Sequence, residues 1–369
     1  MNKRCGALHP SWRHRSGDYN FLSLGYPAGH RVQTQQGLAI ADPKPHFPSR
    51  LHRARDADKD RRHMKIVLLG ADGQVGWELR RALSPLGELV ALTRTPGPDG
   101  SSCDLADPDA TVTTLRALRP DVVVNAAAYT AVDRAESEVE LASIVNGHSP
   151  GVIASTVAAW SGWMVHYSTD YVFDGSGIQA RTEDAATAPL SVYGRTKLAG
   201  EDAIRRSGCK HLVLRTSWVH AARGGNFART MLRLARERDS LKVVADQIGA
   251  PTGADLLADV TAHAVRAALT TPSVEGTYHV CAAGETSWCD YAKHVIAWGH
   301  RAGLALRATP DSVSAVLTSD YPTPARRPHN SRLDTNKFRR AFHLTLPPWQ
   351  AGVDRMLDEA LPSLLGAPS

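Results

Sequence analysis

The feature that most constrains the fold is a short apolar segment followed by closely spaced glycines and a helical pattern. Residues Lys65–Leu69 read as a buried strand, Gly70, Gly73 and Gly76 follow, and a helical pattern runs over Trp77–Leu86. A strand, a glycine turn and a helix in this order are typical of dinucleotide-binding sites, because the backbone can then approach a pyrophosphate at the helix N-terminus. The spacing is G-x-x-G-x-x-G instead of G-x-G-x-x-G, so an ordinary glycine turn is the alternative.

Apolar segments alternate with helical patterns along the chain after Met64. The further predicted strands are Glu88–Leu92, Asp121–Val124, Trp163–Tyr167, His211–Arg215 and Leu241–Val244. Between two of these strands, one amphipathic helix is predicted over Asp133–Asn146. The alternation predicts an α/β fold with a Rossmann-type, doubly wound parallel sheet. Shorter segments and more frequent prolines from Tyr278 onwards indicate a smaller C-terminal α/β region that binds substrate.

These patterns divide the chain into four parts. Residues 1–63 are basic and rich in prolines without a sustained period, so we expect a disordered extension, with Met64 as an alternative start of the functional chain. Residues 64–218 are predicted to form the nucleotide-binding domain, to which 239–268 return. Residues 219–238 and 269–361 are predicted to form the substrate-binding domain, and 362–369 a tail.

Composition excludes several classes of partner. The net charge is +6, but much of the basic excess lies before Met64, so we expect no nucleic-acid partner. No apolar run approaches the ~20 residues that span a bilayer, so we expect no membrane partner either. The five cysteines are scattered without metal or disulfide spacing, which fits the reducing cytoplasm.

Three segments are candidate contacts of the nucleotide. Arg94 follows the second predicted strand, at a position where NAD-preferring sites usually carry an acid. An arginine there can bind the 2′-phosphate, so it favours NADPH over NADH as the cofactor. A solvated loop arginine is the alternative. Asp104 and Leu105 are placed to meet the adenine, and the small residues Ala126–Ala128 let a flat cofactor lie against the backbone.

The strongest catalytic candidate is a tyrosine and a lysine in Ser191-Val-Tyr-Gly-Arg-Thr-Lys197. In a helix, Tyr193 and Lys197 lie one turn apart on the same face. A nearby ammonium favours the ionised phenol and so lowers its pKa towards neutrality. Such a pair also occurs by chance on solvated helices. However, Thr169 and Asp170 follow a predicted strand, and the carboxyl ends of parallel strands share one edge of the sheet.

With these residues in view, the chain resembles the extended short-chain dehydrogenase/reductases, and within them the dTDP-4-dehydrorhamnose reductase family. The resemblance covers Met64 to about Leu361 and rests on six motifs that are highly specific together. They are Gly-Gln-Val-Gly-Trp-Glu78, Val-Asn-Ala-Ala-Ala128, His-Tyr-Ser-Thr-Asp-Tyr-Val-Phe173, Val-Tyr-Gly-Arg-Thr-Lys-Leu-Ala-Gly-Glu201, Arg-Thr-Ser-Trp218 and Asp-Gln-Ile-Gly-Ala-Pro-Thr252.

The resemblance implies roles for individual residues. Tyr193 and Lys197 would carry catalysis with Thr169, and Thr169, Asp170 and Trp218 would touch the sugar nucleotide. The residues implied in cofactor binding, together with those of the glycine turn, are Gly70, Gly73, Gln74, Val75, Gly76, Asp104, Leu105, Ala127, Ala128, Tyr129, Tyr167, Tyr193 and Lys197. Family members are also linked to Mg²⁺ at a dimer contact, for which Glu78 is a candidate ligand, although no spacing in the sequence indicates a metal site. From the residues alone, Arg326 and Arg327 are candidates for a substrate diphosphate, with surface arginines as the alternative.

The implied activity is NADPH-dependent reduction of the C4 ketone of a dTDP-6-deoxy-L-hexos-4-ulose, the last step of dTDP-L-rhamnose synthesis for cell-surface polysaccharide. One alternative is a sugar-nucleotide epimerase or dehydratase of the same superfamily. Dehydratases usually follow the Thr-Asp pair with an acid, whereas Tyr171 follows here. A second alternative is a non-catalytic NADP-binding regulatory subunit. Such proteins can lose the Tyr–Lys pair, which this chain keeps.

Overall fold

The structure is a computed structural model that describes residues 63–97 and 102–365. The expected disorder of the N-terminal extension lies outside these residues, apart from His63. The described strands are β1 Lys65–Leu69, β2 Glu88–Leu92, β3 Val122–Asn125, β4 Trp163–Thr169, β5 Lys210–Thr216, β6 Val219–His220, β7 Leu241–Val244, β8 Ile248–Gly249, β9 Thr252–Gly253, β10 Gly276–His279, β11 Thr286–Ser287 and β12 Val313–Val316.

The described α-helices surround these strands. They are α1 Gln74–Leu83, α2 Pro108–Leu118, α3 Val132–Ala135, α4 Val139–Ser143, α5 Ser149–Ala158, α6 Val192–Arg206, α7 Phe227–Glu237, α8 Ala254–Thr270, α9 Trp288–Arg301, α10 Asn336–Phe342 and α11 Trp349–Leu364. A π-helix, Ile144–His148, joins α4 to α5. None of the described helices is both long and apolar enough to cross a membrane.

Six strands form the central sheet in the order β10-β5-β4-β3-β1-β2. Every neighbouring pair in this sheet is parallel. The chain leaves β1 for β2 and then returns to β3 on the other side of β1, so the sheet is doubly wound and reverses direction beside β1. The prediction of a Rossmann-type parallel sheet is confirmed. Ligands of such sheets bind at the carboxyl ends of the strands near this reversal.

Alternation along β1 shows how the sheet is covered on both faces. Ile66 and Leu68 belong to a hydrophobic cluster that includes residues of α1, α8 and α10. Val67 and Leu69 belong to another, with residues of α2, α5 and α6. A strand buried on both faces needs apolar residues at successive positions, which is why Lys65–Leu69 reads as an uninterrupted apolar run.

A third hydrophobic cluster lies apart from this sheet, and two strands pair differently from what the predicted domain division, which stays a prediction, would suggest. The cluster joins residues of α7, α9 and α11 with Leu241 and Val243 of β7 and Val313 of β12. β7 pairs with β12 in a separate sheet, although 239–268 were expected to return to the nucleotide-binding domain. β10, expected in the substrate-binding domain, pairs with β5 instead. β7 is interrupted by a lysine and β10 contains polar residues, so neither has the continuous apolar run that marks a central strand such as β3.

The single helix predicted over Asp133–Asn146 is wrong, because the chain bends between α3 and α4. Ser137 and Glu138 both turn their backbone N–H groups back to the Arg134 carbonyl. Glu136 accepts a hydrogen bond from the Val192 N–H at 2.7 Å, and Glu138 accepts one from the Tyr129 hydroxyl at 2.6 Å. These contacts with distant segments favour the bend over a continuous helix.

Candidate active site

The glycine turn joins β1 to the N-terminus of α1 at the carboxyl edge of the sheet. Gly70 has a φ of +77°, and a Cβ there would lie 2.7 Å from the Ala127 nitrogen. A Cβ on Gly76 would lie 1.9 Å from the Gly70 carbonyl oxygen, so both positions exclude a side chain. α1 has neither a side-chain cap nor an acid in its first turn. Its N-terminal N–H groups are therefore suited to an anionic ligand, and the arrangement fits a dinucleotide pyrophosphate.

The residues predicted to meet the adenosine half lie beyond β2. Arg94 is exposed two residues after β2, and Asp104 is exposed where the Asp104–Asp107 turn begins. Leu105 is buried, and its carbonyl accepts a hydrogen bond from the Ser149 hydroxyl at 2.5 Å. Arg94 and Asp104 are thus accessible to a ligand, whereas Leu105 anchors the segment to α5.

The end of β3 is fixed by two buried asparagines. Asn125 accepts the Ala127 N–H at 3.1 Å. Asn146, in the π-helix, accepts the Tyr129 N–H at 2.8 Å and donates to the Tyr129 carbonyl at 3.0 Å. Ala127 and Ala128 are partly exposed between these anchors. The backbone of this predicted cofactor contact is therefore held rigidly, while the Tyr129 hydroxyl is engaged with Glu138.

Tyr193, Thr169 and Asp170 form a connected group at the ends of β4 and α6. The Thr169 hydroxyl donates to Asp170 Oδ1 at 3.0 Å and is close enough to the Tyr193 phenol to influence its pKa. Ser191 caps α6 through the Gly194 N–H, which sets the start of the helix and the position of Tyr193. The Tyr193 ring meets that of Tyr171 edge to face, with centroids 5.7 Å apart.

Burial dominates the ionisation of this group. It raises the pKa of Tyr193 to about 12, with a further contribution from the Asp170 charge, while the interaction with the Thr169 hydroxyl lowers it. Burial also raises the pKa of Asp170 to about 6. Lys197 was expected to lower the Tyr193 pKa towards neutrality, but the pKa is raised. The Lys197 amine is held against β4 instead.

Lys197 is almost completely buried under the carboxyl end of β4. Its amine donates to the Tyr167 carbonyl at 2.7 Å and lies 3.1 Å from His166 Nε2. Burial lowers the pKa of Lys197 to about 8, although the Glu201 charge opposes this. The Tyr167 hydroxyl bonds to Thr261 of α8 at 2.6 Å, so its backbone faces the lysine while its side chain ties β4 to α8.

Two groups beside these candidates were missed by the sequence analysis. Glu201 is buried and pairs with Arg215 through two hydrogen bonds of 2.9 and 2.7 Å, and it accepts the Ser168 hydroxyl at 2.5 Å. His166 lies between Lys197 and Asn125. The available signal was the occurrence of polar residues inside apolar strands, such as the histidine in Trp-Met-Val-His-Tyr.

Trp218 follows β5 in a left-handed backbone conformation, with φ of +48°. Its ring stacks on that of Trp288, with centroids 3.6 Å apart and planes inclined by 14°. Gly249 lies beneath the indole, where a Cβ would be 2.7 Å from the ring. Trp288 donates to the Gln247 side chain at 3.1 Å. The structure thus supports Trp218 with a second indole that the sequence analysis missed.

The remaining candidates differ in accessibility. Arg327 makes a two-pronged ion pair with Asp133, at 3.1 and 2.7 Å, whereas Arg326 is exposed. Burial raises the pKa of Glu78, as do the charges of Glu359 and Asp255. The described residues contain no group of three or more histidine, cysteine or acidic side chains arranged to hold a metal ion.

Comparison with known proteins agrees with this geometry. The family model described as "RmlD substrate binding domain" matches residues 64–361. The dTDP-4-dehydrorhamnose reductase of Escherichia coli (strain K12) is 55% identical over 300 residues, which cover 80% of this chain and 98% of that protein. The same enzyme of Burkholderia thailandensis is 47% identical over 295 residues, which cover 79% of this chain and 97% of that protein.

A solved structure extends the likeness to three dimensions. The crystal structure of dTDP-4-dehydrorhamnose reductase from Bacillus anthracis in complex with NADP has a TM-score of 0.71 at 31% identity, and the match covers 81% of this chain and 100% of that one. The family model spans most of the chain, and the relatives are matched over nearly their whole length. This chain therefore belongs to the dTDP-4-dehydrorhamnose reductase family of NAD(P)H-dependent oxidoreductases.

Proposed function

We propose that this chain reduces the C4 ketone of dTDP-4-dehydro-6-deoxy-L-mannose to give dTDP-L-rhamnose, with NADPH as the reductant. The observation that carries the proposal is the connected group of Tyr193, Thr169 and Asp170. It lies at the same sheet edge as the uncapped N-terminus of α1. A phenol that can give a proton and a site suited to a dinucleotide are the two requirements for reducing a carbonyl.

The residues of the glycine turn and of the strand ends would hold the cofactor. The backbone of Gly73, Gln74 and Val75 would bind the pyrophosphate, and Arg94 the 2′-phosphate. On the nicotinamide side, the contacts would be Ala127, Ala128, Tyr129 and Tyr167, with Asp104 and Leu105 at the adenine. When bound, NADPH supplies the hydride that reaches C4.

Tyr193 would donate the proton to the C4 oxygen. Its raised pKa keeps the phenol protonated at neutral pH, so the proton is in place before reaction. As the proton leaves, negative charge develops on the phenol oxygen. The Thr169 hydroxyl and the charged form of Lys197, one helical turn away, would stabilise that charge. Asp170 and Trp218 would position the sugar nucleotide.

The catalytic assignment predicts a large loss of turnover in Tyr193→Phe. We expect kcat to fall by about 10²–10⁴-fold, the usual contribution of a positioned proton donor, while NADPH still binds. The measurement is NADPH oxidation at 340 nm with dTDP-4-dehydro-6-deoxy-L-mannose made in situ, with cofactor affinity from calorimetry. Tyr278→Phe is the control, because that hydroxyl donates only to the Val274 carbonyl among the described contacts. Near-normal turnover in Tyr193→Phe would end the assignment, and less than one NADPH consumed per product would favour an epimerase.

The cofactor assignment predicts that Arg94→Ala changes the preference between NADPH and NADH. Losing a charged hydrogen bond to a phosphate costs about 1.5–3 kcal/mol, so KM for NADPH should rise by about 10–100-fold. NADH lacks the 2′-phosphate, and its KM should stay the same. Equal changes with both cofactors would show that Arg94 does not read the phosphate.

The proposal extends to architecture and location. We place the sugar-nucleotide side of the cleft in the cluster around α7, α9 and α11, and the nucleotide-binding side in the six-stranded sheet. The four described cysteines are free, buried thiols, and cell fractionation should place the protein in the cytoplasm. The homodimer and the Mg²⁺ effect implied by the resemblance stay predictions. Light scattering with and without EDTA would measure the molecular mass in solution and its dependence on the metal.

A further inference from the structure

A buried histidine lies behind the candidate catalytic lysine. In the ladder between β3 and β4, Asn125 is paired with His166, so their side chains are neighbours on one face of the sheet. Both residues are 1% exposed. Lys197 approaches the same ring from α6, with its amine 3.1 Å from His166 Nε2. The three side chains form a continuous row beneath the carboxyl edge of the sheet.

The backbone fixes which ring nitrogen of His166 carries hydrogen. The Ala127 N–H needs an acceptor, and of the two polar atoms of the Asn125 amide only the oxygen accepts, so the oxygen faces it at 3.1 Å. The Asn125 NH₂ group must then face His166 Nδ1, at 3.2 Å. A neutral imidazole has one donor and one acceptor nitrogen. Because Nδ1 accepts from Asn125, the hydrogen is on Nε2 and points at Lys197.

This tautomer discriminates between the two forms of Lys197. An ammonium group has only donors, so it opposes the His166 N–H, whereas an uncharged amine can accept from it. The Tyr167 carbonyl accepts from the amine in either form, at 2.7 Å. If the His166 hydrogen moved to Nδ1, Nε2 could accept a hydrogen bond from the ammonium. The Nδ1 hydrogen would then face the Asn125 NH₂ group, which is also a donor. The row therefore favours the uncharged amine.

Other charged groups face Lys197 and set a balance. Glu201, one turn further along α6, favours the charged amine. However, Arg215 of β5 pairs with Glu201 through two hydrogen bonds, and Arg205 pairs with it at 3.2 Å, so much of that attraction is offset. Tyr193 lies on the preceding turn of α6, with Asp170 beyond it, and both belong to the proton-donating group. The titratable side chain that β4 contributes next to the Lys197 amine is His166. Burial keeps the pKa of His166 well below its ordinary value.

We propose that His166 is a positioning residue of this reductase: held by Asn125 with its hydrogen on Nε2, it favours uncharged Lys197 and thereby sets the alkaline limit of turnover. This rests on the proposed function, in which the charged amine supports proton donation by Tyr193. Since burial also disfavours the charge, Lys197 should lose its proton near pH 8. Turnover should therefore fall as the pH rises through that value, well before Tyr193 ionises.

The first test measures the amine directly and does not depend on the reaction. Protein labelled with ¹³C at lysine Cε is titrated by NMR, and the Lys197 resonance is assigned by its loss in Lys197→Met. In His166→Gln, an amide oxygen of similar reach can accept from the ammonium, so the Lys197 pKa should rise by about one unit. His166→Asn withdraws the N–H without supplying that oxygen, so the pKa should rise by less. His211→Gln is the matched control, because His211 of β5 is also buried but its described polar contacts are with the Cys209 carbonyl and Glu275, so it should leave the value unchanged.

The second test follows kcat against pH at saturating NADPH and sugar nucleotide. The alkaline limb should move upward in His166→Gln by the same amount as the Lys197 pKa and should stay in place in His211→Gln. A purely structural role would lower kcat or the melting temperature at every pH without moving the limb. The shifted limb is therefore the signature of an effect through Lys197.

The outcomes separate this inference from the proposed function. An unchanged Lys197 pKa in the folded His166 variants would overturn it, and so would a raised pKa with an unmoved alkaline limb. If one variant does not fold, the other provides the same comparison. Near-normal turnover in Tyr193→Phe would instead defeat the proposed reaction and would leave the NMR result as it stands.

Discussion

At the scale of single residues, the site contains ionisable groups that are buried at a cost to stability. Asp170 is 2% exposed, and one of its carboxylate oxygens has no hydrogen-bond partner among the described residues. Burial raises its pKa from 3.8 to about 6, so the folded protein binds this proton more tightly than the unfolded chain does. Asp170 therefore contributes stability below about pH 4, and that stability is lost as the pH rises through 6.

The substitution Asp170→Asn should consequently stabilise the protein at pH 8 and have little effect near pH 4. A shift of about two pKa units corresponds to at most about 3 kcal/mol in the free energy of unfolding. Urea unfolding at the two pH values measures this difference. Asp184→Asn is the control, because Asp184 is exposed. If Asp170→Asn is no more stable than the control at pH 8, the burial of the charge is not costly.

At the scale of elements, the glycine turn is constrained both by its left-handed backbone and by the close approach of a neighbouring segment. Substitutions at two glycines distinguish these constraints. Gly70 and Gly177 both have left-handed backbones, with φ of +77° and +68°. A Cβ on Gly70 would meet the Ala127 backbone, whereas a Cβ on Gly177 would meet nothing within 4 Å. The first position therefore combines backbone strain with a clash, and the second has strain alone.

We expect Gly177→Ala to cost about 1–2 kcal/mol of stability, the usual cost of a left-handed non-glycine residue, with normal NADPH affinity. Gly70→Ala should cost more and should also weaken NADPH binding, because the turn must move away from β3. Chemical unfolding and calorimetric titration with NADPH give the two quantities. Equal effects of the two substitutions would contradict a close approach at Gly70.

The sequence was sufficient for elements that bury both faces and insufficient for contacts between distant residues. Lys65–Leu69 and Glu88–Leu92 begin and end where predicted, since continuous apolar runs identify central parallel strands. The bend between α3 and α4 depends on Glu136 reaching Val192, which no local pattern encodes. In the candidate site, Tyr193 and Lys197 were found from their helical spacing. The contact of Lys197 with His166 required the strand register, and so was missed.

At the scale of the whole molecule, one buried ion pair connects a helix to several segments. Arg215 of β5 pairs with Glu201 of α6, lies 5.2 Å from the Phe173 ring centroid and donates to the Glu183 carbonyl. Burial alone would raise the pKa of Glu201, but Arg215 and Ser168 outweigh it and lower the pKa. The carboxylate is therefore charged and depends on its partner.

Removing one partner should be far more costly here than at the surface. Arg215→Met leaves the Glu201 charge buried and should destabilise the protein by about 3–5 kcal/mol. Arg307→Met breaks an exposed pair with Asp239, in which the side chains are 57% and 77% accessible, and should cost at most about 1 kcal/mol. Urea midpoints at pH 7 compare them. Similar losses in the two variants would mean that the buried pair contributes little to holding the fold together.

The close approach of Gly249 to the Trp218 ring bears on selectivity between sugar substrates. The Trp218 indole is stacked against Trp288, and Gly249 lies so close beneath it that an added methyl group would collide with the ring. The indole therefore has little freedom to tilt. If Trp218 contacts the sugar nucleotide as proposed, a sugar of the wrong shape would clash with this fixed ring. Structures determined with and without sugar nucleotide should superimpose at this ring, and Gly249→Ala, by displacing it, should relax selectivity between epimeric sugars.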